Sequence, residues 1–87
     1  MATVFIPSLI RDLACGQSRV IVPADSVREV ITQLEVRFPG ITGRLCEDGN
    51  IRPGMTVVVD SEVSRIGLRH RLSEDSEVHF LPAISGG

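Results

Sequence analysis

Residues 26–40, with the sequence SVREVITQLEVRFPG, decide the fold class because they specify one amphipathic helix. Ser26 and Glu29 form a capping box, in which the serine hydroxyl accepts from the Glu29 amide and the glutamate carboxylate reaches back. Pro39-Gly40 ends the helix. The apolar positions, spaced for one helical face, are Val27, Val30, Ile31, Leu34 and Phe38. A helix of this kind must bury its apolar face against other elements, and a sheet is the expected partner.

Short β-prone segments lie on both sides of the predicted helix. Residues 3–6 and 19–22 are each followed by a proline, and the loop of about ten residues between them predicts a wide hairpin. After the helix, residues 55–59 are almost continuously apolar, which is typical of an interior strand. Residues 62–63 predict a very short further strand. We expect residues 41–54 to be a connection, with turns at Asp48-Gly49-Asn50 and Pro53-Gly54.

The last predicted strand, residues 77–81, has two distinct faces. Val78 and Phe80 alternate with the polar residues Glu77 and His79. Because successive side chains of a strand point to opposite sides, this pattern predicts one core face and one solvated face.

The order of these elements is β-β-α-β-(β)-β, which predicts the α+β class. One main helix packs on one face of a mixed four- to five-stranded sheet whose middle holds the terminal strands. This is the β-grasp, or ubiquitin-like, architecture. We expect residues 1–87 to form a single β-grasp domain in which residues 82–87 are a flexible C-terminal tail.

Composition excludes several classes of function. Hydrophobic residues make up 43% of the chain, with no Trp or Tyr and three Phe, so the core is aliphatic. A net charge of −2 gives no electrostatic case for nucleic acid. The apolar runs are far shorter than the ~20 residues of a membrane span, and no secretory signal opens the chain. Two unpatterned cysteines then indicate reduced thiols, and we expect a cytoplasmic protein.

No constellation of side chains predicts catalysis. His70 and His79 have no partner at a known metal-ligand spacing. Cys15 and Cys46 lack a recognisable base, and neither a phosphate-binding glycine loop nor a nucleophile elbow is present. We therefore expect no catalytic residue, no metal site and no bound cofactor.

The chain closes on Ser85-Gly86-Gly87, where the chemistry is expected to lie. A glycine pair packs no side chain and fits a narrow passage. A free α-carboxyl has a pKa of about 3.3–3.7, so it is ionised near neutrality and is a poor acyl donor until a partner activates it, for example by adenylation. We expect Gly86 and Ser85 to thread through such a partner. The predicted contacts at its entrance are Phe80, Leu81, Pro82 and Ile84.

The chain resembles the ubiquitin-like sulfur carriers of the ThiS/MoaD family along essentially its whole length. The segments that carry the resemblance are Phe38-Pro39-Gly40, Gly43-Arg44-Leu45, Val57-Val58-Val59 and the ending from Phe80-Leu81-Pro82 to Gly86-Gly87. The resemblance implies that Gly87 is adenylated by an ATP-dependent, ubiquitin-activating-like enzyme and converted to a thiocarboxylate. It also implies that Gly86 is a required neighbour, that ATP is used by that enzyme, and that a synthase accepts the sulfur. A protease is a further expected partner if processing exposes the terminus.

The branch of the family and the use of the activated end stay open at this point. Ile6-Pro7-Ser8 with Arg11, and the Pro-Ala-Ile ending, look most like the carrier of cysteine biosynthesis. Carriers for sulfur-containing natural products, molybdopterin or thiamine are the other branches, and Pro53-Gly54-Met55 departs from the bulkier residues of many relatives. A ubiquitin-like modifier conjugated to substrate lysines through Gly87 is the alternative function. A β-grasp interaction domain with an incidental glycine pair is a third.

Overall fold

A mixed sheet and one long helix dominate the computed structural model, which describes residues 1–82. The elements in chain order are β1 (Ala2–Phe5), β2 (Arg19–Val22), α1 (Val27–Arg37), α2 (Thr42–Leu45), β3 (Cys46–Glu47), β4 (Asn50–Ile51), β5 (Met55–Val59), β6 (Glu62–Val63) and β7 (Glu77–Pro82). Five strands form the main sheet in the order β2-β1-β7-β5-β6, and β3 and β4 form a separate hairpin. Strands β1 and β7 are parallel neighbours, and the other pairs are antiparallel. The predicted mixed sheet with the terminal strands at its middle is confirmed.

Helix α1 covers one face of this sheet, as its sequence pattern predicts. Its inward side chains are buried together with the inward side chains of β1, β2, β5 and β7. The Ser26 hydroxyl accepts from the Glu29 amide at 3.2 Å. The Glu29 carboxylate accepts from the Asp25 amide at 3.0 Å, one residue earlier than a capping box places it. The Val27 amide donates to the carbonyl of His70 at 3.0 Å, which ties the start of α1 to the loop before β7.

Residues 41–54 contain more structure than the predicted connection. They form α2 and the β3–β4 hairpin, whose turn residues Asp48 and Gly49 have φ of 53° and 78°. Positive φ at both central residues is the geometry for which Asp-Gly is favoured in two-residue hairpins. The turn signal was visible in the sequence, but strands of two residues are too short to show an alternating pattern.

Glu35 fixes the segment that joins α1 to α2. Its carboxylate accepts from the amides of Gly40 at 2.8 Å and Thr42 at 2.9 Å. Hydrogen bonds from Thr42 and Gly40 hold the pKa of the Glu35 carboxyl below its ordinary value. The ionised side chain thus links α1 to the following turn through two hydrogen bonds.

The last strand is longer than the sequence suggests. Pro82 was predicted to begin the tail, but it is the final residue of β7 and pairs with Met55 of β5. Proline suits this position because its fixed φ is compatible with extended backbone and a strand end does not need its missing amide donor. Residues 83–87 lie outside the part of the chain that the structure describes. Among residues 1–82, no helix has the length and apolarity that a membrane crossing requires.

Candidate functional site

The end of β7 is the place from which the chain continues towards Gly87, and the sheet topology determines what surrounds it. β7 is parallel to β1 and antiparallel to β5. The carboxyl end of β1 and the amino end of β5 therefore flank Pro82. Since β2 is antiparallel to β1, its first residue lies at the same edge of the sheet.

The sheet face away from α1, called here the helix-free face, carries a continuous row of paired residues. The register places Arg19, Phe5, His79, Val58 and Val63 side by side, one from each of the five strands. The Phe5 and His79 rings stack with centroids 4.1 Å apart and planes 5° from parallel. Stacked rings with neighbouring valines give this face an apolar centre that a partner protein can cover.

Two exposed apolar side chains extend this row. Leu81 is 46% exposed and follows His79 on the same side of β7. Ile21, 52% exposed, lies on the same side of β2 as Arg19 but towards the beginning of β7, because it pairs with Thr3, which pairs with Glu77. His79 also has its Nε2 atom 3.9 Å from a carboxylate oxygen of Glu77. On this face β7 thus begins with an acidic residue, Glu77, and carries the exposed apolar residue Leu81 towards its end.

The structure separates the predicted contact residues into two groups. Leu81 and Pro82 are exposed at the end of β7. Phe80 is only 1% exposed and belongs to the core, so its predicted role as a partner contact is wrong. The alternation that assigns Val78 to the core assigns Phe80 to it as well. The remaining predicted site residues, which lie outside the described residues, are Ile84, Ser85, Gly86 and Gly87.

Sequence reasoning missed Phe5, Val58 and Val63 as site residues. Each is an apolar side chain on the solvated side of its strand. Once the inward side of the strand is known, an apolar residue on the other side indicates a candidate interaction surface. The row itself was not visible, because its members are brought together only by the pairing of strands distant in sequence.

The described residues hold little chemistry of their own. Among residues 1–82, no group of three or more His, Cys, Asp or Glu side chains is arranged to hold a metal ion. Burial raises the pKa of the Cys46 thiol, and the charge of Arg28 opposes that rise. The Ser64 hydroxyl lies 2.8 Å from His70 Nδ1, but it also accepts from the Gly67 amide, which identifies it as part of a loop network.

Comparisons with known proteins extend over the whole chain. The model of the ThiS family matches residues 5–87. Sulfur carrier protein CysO of Mycobacterium tuberculosis is 32% identical over 90 residues, covering 98% of this chain and 97% of that protein. Small archaeal modifier protein 3 of Haloferax volcanii is 33% identical over 64 residues, covering 71% and 70%. A chain in the crystal structure of the Amycolatopsis orientalis BexX/CysO complex superposes with a TM-score of 0.91 at 30% identity, with full coverage of both chains.

Proposed function

Because this chain belongs to the ThiS family, we propose that it is a sulfur carrier whose Gly87 carboxylate is adenylated and then converted to a thiocarboxylate. The observation that carries the proposal is the match to the family through residue 87, together with likeness to a sulfur carrier protein over 98% of the chain. In this role the protein is a co-substrate of other enzymes. We place it in the cytoplasm, where such enzymes and ATP are available.

The proposed chemistry takes place at one carboxylate. An oxygen of the ionised Gly87 carboxylate attacks the α-phosphorus of ATP, and pyrophosphate leaves. A hydrosulfide then attacks the carbonyl carbon of the acyl adenylate, AMP leaves, and the thiocarboxylate remains. If the nucleophile is a persulfide, the product is an acyl disulfide, and a thiol must then cleave its S–S bond by thiol–disulfide exchange to release the thiocarboxylate. The ionised carboxylate needs this activation because its resonance-stabilised charge makes it a poor acyl donor. ATP is held by the activating enzyme, and the carrier itself binds no cofactor.

The helix-free face is the proposed docking surface for the activating enzyme. Gly87 is the fifth residue after Pro82, and an extended chain spans at most ~3.3–3.6 Å per residue, so Gly87 lies within about 18 Å of Pro82. An enzyme that reaches Gly87 must therefore come close to the end of β7. Leu81 and the stacked Phe5 and His79 rings present apolar surface at that place.

The same surface would meet a sulfur-accepting synthase in the next step. A CysO has been crystallised in complex with BexX, which supports binding of a partner protein to this fold. Likeness to CysO favours cysteine or a sulfur-containing natural product as the destination of the sulfur, with molybdopterin or thiamine as further branches. If a longer precursor is made, a protease that exposes Gly87 is an additional partner.

Intact-mass measurement tests this proposal. The protein is incubated with ATP, a sulfur source and the adenylating enzyme encoded in the same genome. Replacement of one carboxylate oxygen by sulfur adds about 16 Da. Deletion of Gly87 should abolish the gain, and Leu81→Asp should slow it by placing a charge on the docking surface. Val36→Asp is the matched control, because Val36 is 73% exposed on α1, on the other side of the molecule. Absence of a mass gain in the wild-type protein would refute the proposal.

A ubiquitin-like modifier is the second candidate function. The observation that favours it is 33% identity to small archaeal modifier protein 3 over 64 residues. The amino group of a substrate lysine would then attack the same acyl adenylate, forming an amide bond and releasing AMP. Mass spectrometry of conjugates from cell extract distinguishes the two functions, since only a modifier leaves peptides of residues 72–87 branched onto lysines of other proteins.

A further inference from the structure

Four arginines surround the place where β7 ends. They are called here the arginine cluster and comprise Arg11, Arg19, Arg44 and Arg52. Arg19 is the first residue of β2, Arg44 lies in α2, and Arg52 lies three residues before β5. Arg11 follows the short helical turn Ser8–Ile10 after β1. The topology brings the four together because the ends of these elements meet at one edge of the sheet.

Two grooves beside Pro82 display these side chains. Pro7, Leu9 and Pro82 line both grooves. One groove, of about 540 Å³, contains Arg11 and Arg19. The other, of about 350 Å³, contains Arg44 and Arg52. Within residues 1–82, no Asp or Glu side chain lines either groove.

The charges of the cluster are not neutralised within the described chain. Among residues 1–82, no carboxylate oxygen lies within 4.0 Å of a cluster guanidinium, since the ion pairs found there involve Arg71 and His79. Arg11 Nε donates to the Ile6 carbonyl at 3.0 Å, and Arg52 Nη1 donates to the Gly43 carbonyl at 3.0 Å. Bonds to neutral carbonyls hold these side chains in place and leave their charge available to a partner.

The opposite end of β7 is acidic. Asp60 accepts from the Glu77 amide at 2.8 Å and from the Ser76 hydroxyl at 2.9 Å, so its carboxylate lies at the beginning of β7. The other carboxylates at this end are Glu62, Glu74, Asp75 and Glu77. The charges that give the net value of −2 are therefore unevenly distributed: these carboxylates lie where β7 begins, and the arginine cluster lies where it ends.

The geometry points to a partner whose tail-receiving entrance is bordered by aspartate and glutamate side chains. This inference rests on the proposed function, because a protein that acts on Gly87 must come within about 18 Å of Pro82 and so must face the cluster. Exposed Leu9 and Leu81 between the arginines favour a protein surface, since protein interfaces combine an apolar centre with a charged rim. The charge distribution would also orient the carrier, because an acidic entrance attracts the basic end of β7 and repels the acidic end.

The test measures adenylation of Gly87 by the activating enzyme encoded in the same genome, followed as pyrophosphate release. Arg19→Glu/Arg44→Glu reverses one charge in each groove, at two exposed side chains that make no hydrogen bond within residues 1–82. Arg28→Glu/Arg37→Glu is the matched control, with the same net charge and two exposed arginines of α1 that line neither groove. Arg19→Gln/Arg44→Gln removes the charges without reversing them. Thermal midpoints of all three variants establish that they are folded.

We expect the cluster reversal to lower kcat/KM by roughly 10-fold or more at low salt, within the 10–10³-fold range of electrostatic steering, with kcat nearly unchanged. The deficit should shrink at about 0.5 M NaCl, because salt screens charges over a few ångströms. The neutral variant should lose less, and the control should remain within about twofold of wild type.

Three results would overturn the inference: equal loss in the control, no loss in the cluster variant, or a loss that salt does not reduce. If the wild-type protein is adenylated at Gly87 in these experiments, none of the three results contradicts the proposed function. A wild-type protein that is not adenylated at Gly87 would overturn the proposed function, and this inference with it.

Discussion

Replacing neighbouring residues of β7 should separate the stability of this protein from its proposed activity. Phe80 is 1% exposed, whereas Leu81, the next residue, is 46% exposed on the opposite face. Truncation of a buried phenylalanine costs about 3–5 kcal/mol, because transfer free energy is lost and a cavity remains. A domain of this size has a free energy of unfolding of roughly 4–13 kcal/mol in total. Phe80→Ala should therefore remove a large share of it.

Leu81→Ala should have a much smaller effect on folding. Full burial of a leucine contributes about 1.5–3 kcal/mol, and only part of the Leu81 side chain is buried, so the expected loss is about 1 kcal/mol or less. Since 1 kcal/mol corresponds to about 4–8 °C in a domain of this length, the two variants should differ by roughly 10 °C or more in Tm. Leu81→Ala should instead slow adenylation of Gly87.

Urea denaturation followed by circular dichroism gives both free energies of unfolding. Phe80→Leu, which keeps most of the buried volume, is the control if Phe80→Ala does not fold, and it should be intermediate in stability. The assignment of the two faces of β7 would be refuted if Phe80→Ala cost less than about 1 kcal/mol. It would equally be refuted if Leu81→Ala were as destabilising as Phe80→Ala.

Three other features give further predictions. Glu35→Gln should lower the free energy of unfolding at neutral pH. Because the pKa of the wild-type carboxyl is lowered in the folded state, the stability that the ionised carboxylate contributes is complete above the ordinary pKa of 4.5 and is lost as pH falls through the folded-state pKa. Urea titrations of both proteins at pH 7 and pH 3 would detect this loss. Ser26→Ala should cost about 1 kcal/mol in the same assay, because the bond to the Glu29 amide is lost, and no change would contradict the capping geometry. Exposed Cys15 should react with N-ethylmaleimide faster than partly buried Cys46, because burial raises the pKa of the Cys46 thiol. Peptide mapping of partially labelled protein measures the order of labelling. Labelling of Cys46 before Cys15 would contradict this prediction.

The sequence was sufficient to predict the elements that have strong apolar periodicity or clear end signals. Helix α1 and the long strands follow from apolar spacing, and the capping serine and the Pro39-Gly40 pair locate the helix ends to within a residue or two. The β3–β4 hairpin was missed because both of its strands have two residues and neither adjoins a longer predicted strand, whereas the two-residue strand β6 follows the turn after β5. No period can be read from so short a segment.

The candidate site was harder to predict than the fold. The paired row on the helix-free face joins residues as distant as Phe5 and His79, and their stacking depends on the parallel register of β1 and β7. The arginine cluster depends on the same topology, since its members are scattered from residue 11 to residue 52. Local patterns do not contain such long-range pairing, because register is set by the whole sheet.

Tandem mass spectrometry of the peptide of residues 72–87 tests the central claim most directly. The chain contains no lysine, and trypsin cleavage after Arg71 releases this peptide with Gly87 at its end. After incubation with ATP, the activating enzyme and a sulfur source, we predict a gain of about 16 Da confined to the fragment that contains Gly87 alone, as expected for oxygen replaced by sulfur at the carboxylate. A peptide of unchanged mass, or a gain located at any other residue, would contradict the account.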